Sequence, residues 1–117
     1  MINIESNRKI ILTKIQQAHK KSNFSLLPVS KLVAVSKKQE DYKIDEAIKL
    51  GQKIFGENRV QEAQKRWVKR LEIYKDIELR LIGPLQTNKT RQALNLFDVI
   101  ETIDREKLAK EISKNFN

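Results

Sequence analysis

Two lysines, Lys37 and Lys38, follow directly on the apolar run Leu32, Val33, Ala34, Val35 and on Ser36. An amine held at the rim of an apolar interior loses hydration in its charged form, which lowers its pKa and frees the neutral amine to attack a carbonyl. Read only as structure, the same pair extends its stems outward at a strand end and keeps its charges in water. Side chains alternate along a strand, so two adjacent lysines point to opposite sides and one alone can enter a pocket. Three other clusters carry polar groups suited to holding a ligand: Gly56, Glu57 and Asn58; then Gly83, Pro84, Gln86, Asn88 and Lys89; then Glu101, Thr102 and Asp104. Their structural readings are turn glycines, a strand-breaking proline and helix caps at Asn58 and Asp104.

The elements around these residues are legible from their periods. Ile4, Ile11, Ile15 and Ala18 lie seven, four and three apart, one stripe of a helix over residues 5 to 20 that ends near His19, read as a helix-end residue. Lys31 to Ser36 is a valine-rich run without polar alternation, the pattern of a strand covered on both faces. A helix with Ile44, Ala47 and Ile48 on one face follows, and Gly51 is placed to end it in a left-handed conformation. The segment from Lys53 to Asn58 predicts a second strand. Val60, Ala63, Trp67, Leu71 and Tyr74 then step by three, four, four and three, a helix from about residue 59 to 74 with Trp67 in the core. A third strand is broken by Gly83 and Pro84, a helix covers the segment from Asn88 to Phe97, Asp98 to Thr102 reads as a fourth strand, and a helix closes the chain.

This order, a helix and then strand and helix four times, predicts an α/β fold with parallel strands and helices packed outside them. In such sheets ligands bind at the carboxyl ends of the strands, which is where every cluster named above falls. The 117 residues suit one domain, without cysteine for disulfides or thiolate sites and with a single histidine, too few for a metal cluster of its own. No apolar run is long enough for a membrane span, and the expectation is a soluble, cytoplasmic protein. The net charge of +9 favours polyanions, but the basic residues are spread along the chain among acids, so a nucleic-acid-binding domain is the weaker alternative. Neither G-x-G-x-x-G nor G-x-x-x-x-G-K-[ST] occurs.

Four segments in order, LVAVSK, FGENRVQEA, LIGPLQTNK and FDVIETID, resemble the YggS/PROSC family of pyridoxal phosphate homeostasis proteins over nearly the whole chain. The resemblance implies the N-terminal half of a TIM-type (β/α)8 barrel, like the N-terminal barrel of alanine racemase, with the cofactor pyridoxal 5'-phosphate held as a Schiff base on Lys37. It implies Asn58 as a cofactor-facing side chain, and Gln86, Asn88 and Lys89 as part of the pocket rim. Family members are described as cofactor carriers or regulators in vitamin B6 and amino-acid balance, without established turnover. A second acid/base group, which racemase chemistry would need, has no clear candidate here.

Two departures accompany the resemblance. Arg80 and Leu81 stand where the family carries a His-Phe pair, a permanent cation in place of a titrating imidazole. Four strand–helix units make half of an eight-unit barrel of about 250 residues, and nothing after Asp104 matches the family's phosphate-binding turns. The expectations are a single partial domain over 1–117, a partner in a second copy or a separate C-terminal half, and, as the alternative, a cofactor-free structural or interaction module.

Overall fold

In the computed structural model, which describes residues 3–116, helices and parallel strands alternate as the periods require. Helix α1 (Ile4–Lys21) precedes strand β1 (Ala34–Val35), helix α2 (Asp41–Lys49), strand β2 (Ile54–Glu57) and helix α3 (Val60–Ile73). Strand β3 (Glu78–Leu81), a 3-10 turn (Thr87–Lys89), helix α4 (Thr90–Leu96), strand β4 (Val99–Ile100) and helix α5 (Glu106–Asn115) complete the order. The strands form one sheet in sequence order, β1-β2-β3-β4, with every pair parallel. β1 pairs only with β2, and β4 only with β3, so both outer edges are free of strand partners among the described residues.

The two faces of the sheet differ. Phe55, Leu79, Leu81 and Ile100 alternate toward the helices and pack with Ile44, Val60, Ala63, Trp67, Ala93 and Leu108 into one core. Trp67 is 0% exposed, and its ring lies 4.7 Å from that of Phe55 at 49°. The opposite face carries Val35, Gly56, Arg80 and Val99 in register. Val35 is 45% exposed, so the first strand is covered on one face rather than on both, as its apolar run had suggested. A methyl group added to Gly56 would lie 3.1 to 3.2 Å from side-chain atoms of Ile82 and Val33, so the strands approach on this face only as closely as a glycine allows.

The ends of the helices follow local chemistry. α1 is capped by Asn3, whose Oδ1 accepts from the Ser6 amide, and closes with His19, Lys20 and Lys21 in its last turn. Its expected apolar stripe is not buried: α1 has no buried residue, Ile11 is exposed, and the helix is held instead by Arg8, which donates to Gln52 Oε1 and Leu50 O. α2 ends before Gly51, which takes the left-handed φ of 96° required there. Arg70 of α3 ties that helix to α2 through Asp45 and Asp41. Burial opposes the Arg70 charge, but the two carboxylates outweigh it and hold its pKa above the usual value. Asp104 does not cap α5, nor does Asn58 cap α3; Arg105 and Arg59 occupy those positions with no side-chain cap.

Trp67 fills the layer between sheet and helices, so Trp67→Ala should cost about 3 to 5 kcal/mol in a urea unfolding series; a loss of a few tenths would mean that this layer does not hold the fold together.

Candidate functional site

Lys37, Asn58 and Gln86 follow the ends of β1, β2 and β3, three neighbouring strands, and so share one edge of the sheet. β1 is only two residues long and ends at Val35. Lys37 and Lys38 therefore lie in a turn, closed by the Gln39 amide donating to Ser36 O at 3.1 Å, and Lys38 adopts a left-handed φ of 59°. Strand alternation does not govern the two lysines, and both are exposed. Neither lysine is enclosed in an apolar interior.

Beneath the turn sits a buried polar cluster. Glu57 is 0% exposed and Ser36 2%. The Ser36 hydroxyl donates to Glu57 Oε2 at 2.5 Å, Trp67 Nε1 donates to both Ser36 Oγ and Glu57 Oε2 at 3.2 Å, and Arg66 donates to Glu57 Oε1 at 2.8 Å. A carboxylate taken out of water survives when each oxygen is hydrogen-bonded and a cation is in contact, and Glu57 has both. Ser36 is further tied to β2 by its amide, 3.0 Å from Gly56 O. The period of two that sends Phe55 toward the helices sends Glu57 there as well, a signal that was available in the sequence.

A groove of about 630 Å3 at this edge lies between the start of α3, the turn after β3 and Arg105. Asn58 and Gln86 line it, with the cationic side chains Arg59, Lys89 and Arg105 and one acid, Glu62. Gly83 lets the walls meet: a Cβ there would stand 3.1 Å from Asn58 Cβ. Arg105 spans the groove, donating to Leu85 O and Thr87 Oγ1. Asn88, in the 3-10 turn, is exposed and does not line the groove, and neither does Lys37. Arg59, Arg105 and Glu62 were not singled out in the sequence, because nothing in their spacing marks them.

Arg80 points to the open face of the sheet, level with Gly56 and Val99. It donates to Glu78 at 2.9 Å and to Glu101 at 3.1 Å, and these bonds raise its pKa above the usual guanidinium value. Arg80 is thus a fixed cation between two carboxylates, with no proton to exchange.

Searching protein-family models gives no match. Individual proteins do match. The chain is 45% identical over 114 residues to a pyridoxal phosphate homeostasis protein of Buchnera aphidicola subsp. Schizaphis graminum, covering 97% of this chain and 49% of that one. It is 38% identical over 117 residues to the protein of the same name from Haemophilus influenzae, covering 97% and 47%. The backbone resembles PipY of Synechococcus elongatus PCC7942 without pyridoxal phosphate, with a TM-score of 0.80, 32% identity and coverage of 97% and 47%. The chain belongs to the pyridoxal phosphate homeostasis family. It spans about half the length of the relatives it matches. PipY with pyridoxal phosphate bound also matches, with a TM-score of 0.68 and 39% identity over 86% of this chain and 46% of that one.

Removing the cation but not the acid should expose the cost of the buried carboxylate. Arg66→Met is expected to destabilise the fold by about 3 kcal/mol in denaturant unfolding; an unchanged midpoint would show that Glu57 needs no partner.

Proposed function

We propose that this chain is the cofactor-attaching part of a pyridoxal 5'-phosphate homeostasis barrel, with Lys37 as the amine that would condense with the cofactor's aldehyde, releasing one water, to give a Schiff base. The observation that carries the reading is the position of Lys37 after β1, at the edge shared with Asn58 and Gln86, in a chain whose backbone matches PipY with pyridoxal phosphate bound. The side chains present suit the ligand by their chemistry. A primary amine answers an aldehyde, two amides serve ring substituents, and Arg59 and Lys89, beside an Arg105 that already pairs with Asp104, can neutralise a phosphate monoester. Asn88 lies beside this set and is assigned to the rim with Gln86. When bound, the cofactor would supply an electron-accepting ring. The chain's residues attach and orient it, and exposure of the turn leaves the bond open to water, which suits release more than turnover. The role is thus a non-catalytic carrier or regulator in vitamin B6 and amino-acid balance, in the cytoplasm. Among the described residues no helix is long and apolar enough to cross a membrane.

Residues 1–117 are read as one partial domain, the N-terminal half of the barrel. The first and last strands each have a free edge, and the face with Val35 and Arg80 has no layer over it among the described residues. Unpaired strand edges invite pairing, and closure into a barrel removes them. The working unit is therefore this chain with a second four-stranded unit, supplied by a second copy or by a C-terminal half.

Borohydride reduction after addition of pyridoxal phosphate, with peptide mapping, should place the label on Lys37. Label mainly on Lys38, or spread evenly over surface lysines, would contradict the assignment and favour a cofactor-free interaction module.

Sedimentation of the 117-residue chain over a concentration series should show association. A monomer with cooperative unfolding at every concentration would contradict the need for a second unit.

A further inference from the structure

The Glu57 cluster lies in the helix-facing layer, away from the groove, and its carboxylate is fully buried. An apolar side chain of similar size in such a place often gives equal or greater stability, so filling the core does not account for a charge there. What the charge adds is direction. Ser36 is gripped at three points: its hydroxyl by Glu57, its amide by Gly56 O, and its carbonyl by the Gln39 amide. The next residue is Lys37, and the one after it, Lys38, holds a left-handed backbone that a non-glycine residue adopts at a cost unless its surroundings fix it.

We propose that Glu57, itself held by Arg66 and Trp67, is a positioning residue for Lys37, acting through the Ser36 hydroxyl to fix the turn from which the amine emerges. The proposal rests on the reading of Lys37 as the cofactor-attaching amine. Glu57 does not touch the ligand. It accepts the Ser36 proton in a hydrogen bond and transfers nothing, so the effect is one of placement and appears as selectivity between neighbouring lysines. The Trp67 indole, bonded to the same two oxygens, completes the anchor from the α3 side. The β1 end, the β2 end and α3 thus meet on one carboxylate directly behind the lysine.

Two readouts test this in the full chain. The first is the ratio of Lys37 to Lys38 labelling by borohydride after treatment with pyridoxal phosphate or with pyridoxal, which lacks the phosphate. The second is hydrogen exchange of the Gln39 amide, which needs no cofactor. Ser36→Ala and Glu57→Gln should lower the labelling ratio about tenfold, the weight of one charge-assisted hydrogen bond, and speed Gln39 exchange by a similar factor. Ser36→Thr keeps the hydroxyl and should restore both. Leu79→Ala, which weakens the core and removes none of the cluster's hydrogen-bonding groups, should leave the ratio as it is. Should Glu57→Gln fail to fold, Ser36→Ala decides, since Arg66 and Trp67 still satisfy the carboxylate. A wild-type chain labelled on Lys37, whose Ser36→Ala variant keeps both the ratio and the Gln39 protection, overturns this proposal alone. A wild-type chain that takes no label on Lys37 overturns the functional reading and this proposal with it.

Discussion

A single buried carboxylate organises the edge of the sheet that carries Lys37 and Asn58. Glu57 accepts from Ser36, Trp67 and Arg66, and these belong to the end of β1 and to α3 while Glu57 itself ends β2. Burial of a charge is unfavourable unless it is fully met, so the three elements cannot separate without leaving it unpaired. The hydrogen bonds therefore set the relative placement of Lys37 at one strand end and Asn58 at the next. They do so from the helix side, leaving the opposite side of the sheet free.

That opposite face is arranged by different forces. Ile82 and Val33 both close on the space that a side chain at Gly56 would fill, and Arg80 draws Glu78 and Glu101 into one ion pair network over the sheet. A charged network with water access contributes little to stability. A second layer over this face would have to meet the network with polar groups of its own or keep water around it. The structure thus has a dry side that supplies the folding energy and a wet side suited to a further sheet or a ligand.

Much of the fold was legible because helical and strand periods are long-range averages that tolerate local error. The α3 stripe and the order of alternating elements came through intact, as did Gly51. What failed was local. The apolar stripe of α1 was placed on one side of a helix, but amphipathic spacing cannot say whether a neighbour exists to bury it, and Arg8 ties the helix to Gln52 and Leu50. The lysine pair was read as the end of a strand, and alternation was applied where the chain already turns. Caps at Asn58 and Asp104 were placed one residue early, within the range over which helix ends vary. The candidate site residues came from the family motifs. The buried Glu57 cluster was open to physical reading from Phe55 and Glu57 alternating to the same side, but a motif in which glutamate sits between glycine and asparagine looks like a turn.

The central claim is that Lys37 is the point of covalent attachment, and optical absorption tests it without chemical trapping. Titration of the chain with pyridoxal phosphate should produce the visible band of a protonated Schiff base, saturating at one cofactor per site, and Lys37→Ala should abolish it while leaving the fold unchanged. The same band at the same strength in Lys37→Ala would contradict the account.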